Sequence, residues 1–214
     1  MVLDNKKKMN EQIIYIVIPT TKERRPRLRE LLDSIDDNTE GMKYAVVVYE
    51  NDDGGWVPAV HNAIEGINGY AVLLGSDVVV KKDWLKNLWS AFKKHFPNGD
   101  GAVQPFDEIN NGALCQHPLA HTDTIRKYLD KDFIHNFSDN WMTDRLKDEG
   151  KYQYVPEAII EHKHMVNKKA KPDETYKKVF STYERDREVY KRKHKELLGV
   201  EDRNPVNVDN IFVD

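Results

Sequence analysis

The stretch YAVLLGSDVVV, Tyr70 to Val80, decides the fold. Its apolar run reaches Gly75, breaks for Ser76 and Asp77, and then resumes. Read as a buried strand, the run places a lone carboxylate, Asp77, at its C-terminal end. In an open α/β sheet that end is where ligands collect. The plainer reading makes Asp77 a turn residue capping the helix that begins near Lys82.

The pattern repeats on either side. IIYIVIP (Ile13 to Pro19) and YAVVVYE (Tyr44 to Glu50) are β-branched and aromatic, as buried strands are. RPRLRELLDSI carries Leu28, Leu31, Leu32 and Ile35 at helical spacing, with Pro26 suited to a first turn. VPAVHNAIEGI repeats the helical spacing, and KDWLKNLWSAFKKHF sets Trp84, Leu85, Leu88, Trp89 and Phe92 on one face. Short apolar strands alternating with helices predict βαβ units and right-handed crossovers. The expected architecture is α/β, with a Rossmann-like, mainly parallel twisted sheet flanked by helices.

The second half is less regular. GAVQPF and GALCQHPLA read as short strands, HTDTIRKYL as a helix, and SDNWMTDRLKDEG as a helix opened by Ser138 or Asp139 and closed by Gly150. YQYVP and AIIEHKH read as two strands flanking Pro156. From Pro172, the stripe Tyr176, Val179, Phe180, Tyr183 and Tyr190 predicts one long amphipathic helix ending at Gly199. The expected organisation is a charged tail over 1–12 and a single domain over 13–170. That domain divides into a regular half of doubly wound, nucleotide-binding type (13–105) and a less regular half (106–170). The C-terminal helix covers 171–199, and a tail covers 200–214.

The 214 residues hold 33 basic and 36 acidic side chains, a formal charge of -3, which argues against nucleic acid or anionic lipid as a partner. Cys115 is the only cysteine, so neither an intramolecular disulfide nor a cysteine-based zinc cluster is expected. No signal peptide is legible near the N-terminus and no apolar run is long enough to span a bilayer, so the expected location is cytoplasmic.

Three loops at predicted strand ends carry the polar residues: PTTKERR, ENDDGG and GSD. ENDDGG alone reads as a plain turn; its convergence with Asp77 makes it a candidate site. Neither a dinucleotide-binding glycine pattern nor a P-loop is present. Bound phosphates then need another positive partner, and a divalent cation on Asp77 is the economical one. Failing a cation, Lys22, Arg24 or Arg25 are candidates. Downstream, Asp139 sits near a helix N-terminus, which suits an N-cap or a general base. His162 and His164 alternate on one side of a predicted strand, as a solvated face or as metal ligands.

The order of these pieces resembles the family 2 type, GT-A fold inverting glycosyltransferases across about Ile13 to His164. IYIVIPTTKERRPRLRELLDSI resembles the family's opening strand and helix, and VVVYENDDGG its second strand. VHNAIEGINGYAVLLGSDVVVKKDWL is similar to the segment leading to its Asp-x-Asp element. FSDNWMTDRLKDEGKYQYVPEAIIEHKH matches the most specific signature, an acidic pair, Arg-Leu, Gly, Val-Pro-Glu-Ala and a histidine.

The resemblance implies a small mixed acceptor-side portion beside the parallel sheet, with 106–170 as the acceptor and catalytic half. It implies nucleotide contacts at Pro19, Thr20, Thr21, Glu50, Asn51, Asn62 and Ser76, with Glu50 standing where the family usually has Asp. It also implies metal ligation by Asp77 and His162, with His164 the alternate, and Asp139 as catalytic base. The expected cofactor is Mn2+ or Mg2+. The expected donor is a UDP-, GDP- or dTDP-sugar, and the acceptor a glycan or other hydroxyl. Two departures stand out: Gly75 replaces the first carboxylate of Asp-x-Asp, and Ser138 replaces the first member of the acidic pair.

On the acceptor side, FDEINNGALCQHPLAH, DKDFIHNF, Trp141, His117 and His121 are candidates. Two other readings stay open. One is a catalytically inactive sugar-nucleotide binding module, motivated by the missing carboxylate. The other is a nucleic-acid-directed glycosyltransferase or binder, motivated by the basic tract YKRKHK.

Overall fold

In the computed structural model, which describes residues 12–171 and 173–199, the short apolar runs form strands and the 3.6-periodic runs form helices. Most of the expected N-terminal tail and all of the 200–214 tail lie outside the described residues. The strands are β1 (Ile14–Thr20), β2 (Tyr44–Glu50), β3 (Tyr70–Leu73), β4 (Val78–Val80), β5 (Ala102–Asp107), β6 (Leu119–His121) and β7 (Tyr152–His162). The helices are α1 (Arg25–Asn38), α2 (Trp56–Ala63), α3 (Trp84–His95), α4 (Thr122–Tyr128), α5 (Ser138–Asp148), α6 (Glu174–Ser181) and α7 (Tyr183–Leu198).

All seven strands join one sheet in the order β2-β1-β3-β6-β5-β7-β4. The β2-β1-β3 half is parallel, and its register sets Thr20 beside Glu50, so the loops after these strands emerge together. Beyond it the sheet is mixed. β6 runs antiparallel to β3 and β5, β7 is parallel to β5, and β4 is antiparallel to β7. This is the expected α/β layer with a smaller mixed portion beside the parallel strands.

Period-2 alternation divides the core between the two faces of the sheet. Ile14, Ile16 and Ile18 face α1 and α3, packing with Leu31, Ile35, Trp84, Leu85, Leu88 and Phe92. Val17 and Leu73 face the other way, onto Val57 and Val60 of α2, Trp141 and Met142 of α5, and Tyr190 of α7. The five predicted apolar side chains of α3 are all buried, each worth about 1.5–3 kcal/mol. That burial holds the helix, because Asp83 at its N-cap makes no side-chain cap bond. Asp77 does not cap it, since its carboxylate is bound elsewhere.

Four expectations are corrected. First, YQYVP and AIIEHKH form one strand. Pro105 pairs with Val155 but Phe106 with Ile159, so Pro156, Glu157 and Ala158 make a wide bulge in β7 rather than a break. Second, the strand read in GALCQHPLA is confined to Leu119–His121. Third, α5 is not capped by Ser138 or Asp139: Phe137 holds the N-cap position, and Ser138 Oγ instead donates to the His135 carbonyl. Fourth, the C-terminal helix is two helices meeting at Thr182. There the Asn136 side-chain amide donates to the Val179 carbonyl and to Thr182 Oγ1, and Thr182 N–H turns back to Val179. The Val179 carbonyl is thus occupied from outside the helix.

These last helices are tied to the domain through a buried carboxylate. Asp186 of α7 is fully buried and accepts the backbone N–H groups of Ile134, His135 and Asn136, the loop leading into α5. Asp186→Ala leaves three inward amides without their acceptor. It is expected to lower the unfolding free energy in urea by about 3 kcal/mol or more; a loss below about 1 kcal/mol would contradict this account.

Candidate active site

The loops after β1, β2 and β3 open onto one cavity of about 500 Å³. Pro19, Thr20, Thr21, Asn51, Ser76, Asp77, Asp139, His162 and His164 all line it, so the structure brings together most of the expected site. Glu50 and Asn62 are not among the lining residues. Glu50 is held by the exposed Arg25 at 2.7 Å, and Asn62 donates to the Tyr49 hydroxyl. Asp52 and Asp53, from the same ENDDGG loop, line the cavity instead.

Asp77 reaches its place because β4 pairs with β7. Val78 stands opposite His162, and Lys163 N–H donates to the Asp77 carbonyl at 2.7 Å. The side chain is 6% exposed. Arg24 Nη1 donates to its Oδ2 at 2.9 Å, and His162 Nε2 stands 3.6 Å from its Oδ1. Burial opposes the charge, but His162 and then Arg24 outweigh it and hold this carboxyl well below the usual carboxylate range. Gly75 has a steric reason: a Cβ there would come within 2.7 Å of Asp77 Oδ1. The position of the missing carboxylate has no room for a side chain while Asp77 keeps this rotamer.

The other flank of His162 was not anticipated. Its Nδ1 lies 2.9 Å from Oδ2 of Asp107, a fully buried carboxylate at the end of β5. The bulge in β7 produces this meeting, because its three extra residues bring Asp107 opposite Ile160, near the end of the strand. Desolvation works against the charge on His162, yet Asp77 and then Asp107 push its pKa up to about 10. His117, 3% exposed, stands beside them with its ring 5.4 Å from that of His162. Asp107 could have been suspected only as the acidic residue closing a predicted strand; nothing in the spacing linked it to His162. His164 lies beyond the strand, which ends at His162. It packs edge-on against Tyr176, and burial followed by the nearby His162 lowers its pKa to about 4.

Asp139 lies in the first turn of α5. Its Oδ2 accepts from Gln116 Nε2 at 3.0 Å, and its Oδ1 from the Asn140 N–H at 3.0 Å. Desolvation raises its pKa in spite of these bonds. Gln116 is therefore an orienting residue that sequence reasoning missed. Of the acceptor-side candidates, His117 lines the cavity, whereas Trp141 is buried in the core and His121 caps α4.

Arg24 is the central cation. It pairs with Asp77 and Asp173, and its guanidinium lies 4.6 Å from the Tyr176 ring centroid. Lys22 pairs with Asp52 and stays largely exposed, and Arg25 is engaged by Glu50. The basic tract on α7 is also compensated: Lys191 pairs with Glu188, and Arg192 and Lys193 with Asp132. No helix of the described residues is long and apolar enough to cross a membrane.

This arrangement is the GT-A fold. The chain matches the crystal structure of glucosyl-3-phosphoglycerate synthase from Mycobacterium tuberculosis with Mn2+, UDP-glucose and phosphoglyceric acid. That match has a TM-score of 0.55 and 11% identity, over 82% of this chain and 78% of that one. The same synthase with Mn2+, UDP and glucosyl-3-phosphoglycerate gives 0.54 at 12% identity, over 77% and 76%. S. aureus TarS, residues 1–349, gives 0.52 at 12% identity; the match covers 70% of this chain and 60% of that one, less than two thirds of its length. At such identities the likeness establishes the fold. No protein-family profile and no curated protein sequence matches the chain.

One group in the cavity wall ties stability to pH. Burial, and then the Arg24 charge, pull the His135 pKa from 6.5 down to about 4. Below pH 6.5 the unfolded chain binds this proton and the folded chain does not, so stability is lost as pH falls through that window. The thermal midpoint is expected to drop between pH 7 and pH 4, and to drop less in His135→Gln; equal slopes would remove His135 as a source.

Proposed function

We propose that this protein transfers a sugar, of hexosyl type, from a nucleotide diphosphate sugar to an acceptor hydroxyl with inversion. The observation that carries the reading is that Asp139 and the Asp77, Arg24 and His162 group line one cavity at the ends of β1, β2 and β3. A single displacement needs a base for the acceptor on one side and positive charge for the leaving diphosphate on the other. The neighbouring synthase was crystallised with UDP-glucose and Mn2+, which supports a UDP-sugar donor here.

Asp139 is the base. Gln116 and the Asn140 N–H fix its carboxylate, and it takes the acceptor proton as the acceptor oxygen bonds to the anomeric carbon and the bond to the diphosphate breaks. Pro19, Thr20, Thr21, Asn51 and Ser76, with Asp52 and Asp53, form the wall for the nucleotide. Glu50 and Asn62 support that wall from outside the cavity. Arg24 stands ready for the diphosphate, because its guanidinium is fixed by Asp173 and Tyr176 and matches phosphate oxygens.

The residues also fit a divalent cation such as Mn2+ or Mg2+. His162 has a carboxylate on each ring nitrogen, Asp77 on one side and Asp107 on the other, and metal-bound histidines commonly carry such an outer carboxylate. A cation held at His162 would supply charge neutralisation for the departing diphosphate.

Asp139→Asn should lower transfer by about 10²–10⁴-fold while leaving the thermal shift with UDP intact. Near-normal turnover would remove Asp139 from the role. Unaltered UDP binding by a wild-type protein that transfers nothing would favour the sugar-nucleotide binding module. The base must be ionised and its carboxyl is raised by burial, so the acid limb of the rate profile should lie above the ordinary value of 3.8. A limb at or below that value would exclude Asp139.

A further inference from the structure

The two carboxylates that flank His162 are not equivalent. Asp77 already has a cation: Arg24 Nη1 lies 2.9 Å from its Oδ2, and its Oδ1 is 3.6 Å from His162 Nε2. Asp107 has no such guanidinium among the described residues. Its Oδ1 accepts the Ile109 N–H at 2.9 Å, while Oδ2 faces two imidazoles, His162 Nδ1 at 2.9 Å and His117 Nε2 at 3.5 Å.

His117 is the second observation. It is 3% exposed, its backbone N–H is anchored by Gln104 Oε1 at 2.9 Å, and neither ring nitrogen has a hydrogen-bond partner among the described residues. A buried imidazole without a partner is costly unless something else uses its lone pair. One donor atom each from Asp107, His117 and His162 lie within 4.8 Å of one another. His117 and His162 also line the cavity, so the cluster has a route from solvent.

We propose that Asp107, His117 and His162 hold a divalent transition-metal ion, with Asp77 acting as the outer carboxylate that orients His162. The carboxylate absent at Gly75 is replaced from β5 instead of within the Gly75-Ser76-Asp77 loop. His162 binds through Nδ1, which leaves Nε2–H to face Asp77, and Asp77 stays with Arg24. Two nitrogens and one oxygen favour Mn2+, Co2+ or Zn2+ over Mg2+ and Ca2+, which prefer all-oxygen sites. This refines the cation of the proposed donor site and rests on that reading only for the ion's use, not for its binding.

The test is metal binding by the full chain without nucleotide. Isothermal titration should show one Co2+ or Mn2+ bound about tenfold or more tighter than Mg2+. Pulsed electron paramagnetic resonance of the Mn2+-loaded wild type should show two directly bound imidazole nitrogens, a readout that no unfolded variant can confuse. Asp107→Asn and His117→Ala, each verified as folded by circular dichroism, should weaken binding more than Asp77→Asn does.

One bound imidazole would overturn the proposal. So would binding abolished by Asp77→Asn but untouched by His117→Ala, or no ion bound at all. UDP binding without metal binding would sink this inference and leave the donor site standing. Two bound imidazoles without binding of UDP, GDP, dTDP or CDP would do the reverse.

Discussion

An imidazole clamped between two buried carboxylates is the constraint around which the rest is arranged. Asp107 is wholly removed from solvent, and an ionised group in that position persists only with a counter-charge and satisfied hydrogen bonds. Without a bound ion His162, its pKa raised by the two carboxylates, supplies the charge, and Ile109 N–H one of the bonds. Asp107 ends β5, His162 ends β7 and Asp77 precedes β4, so one ionic cluster marks where two strands stop and a third begins. Breaking such a buried pair costs about 3–5 kcal/mol, enough to hold the irregular half of the sheet in a single register. The polar edge is thereby as firmly specified as the apolar core.

A second chain of charges runs from the first strand to the last helices. Arg24 follows β1, bonds Asp77 and is gripped from its far side by Asp173, while Arg27 reaches the same Asp173 at 3.3 Å. Glu23 accepts the N–H groups of Glu174 and Thr175 at the start of α6, and Thr21 meets Thr175 hydroxyl to hydroxyl at 3.1 Å. Each link is modest where exposed. Around Arg24 they are largely shielded, so the cation that faces the cavity has a fixed position and no rotamer search left to complete.

Much of this was legible in the chain, and the limits have physical causes. The parallel half followed from Ile13–Pro19, Tyr44–Glu50 and Tyr70–Leu74, because buried strands and amphipathic helices are local patterns. Asp77, Asp139 and His162 stand out in the sequence because they lie at ends of such elements, and all three line one cavity. Asp107, Gln116 and Arg24's partnership with Asp173 were missed because each depends on contacts between distant segments. The β7 bulge was misread as two strands because a Pro inside a run ordinarily ends it, while here Pro156 sits in a widened segment whose backbone N–H groups leave the ladder. The continuous C-terminal stripe concealed the break at Thr182, since the side chain that interrupts it, Asn136, lies 46 residues earlier.

The Asp186 clamp carries a consequence for synthesis. The loop leading into α5 has three amides satisfied by a residue made about fifty positions later. On a ribosome adding about 5–20 residues per second, strands β1, β2 and β3 have their mutual pairings in hand well before α7 emerges. The loop over 134–136 is thus completed last, and during elongation a nascent chain holds a paired β2-β1-β3 layer beside a loop whose amides still await their acceptor.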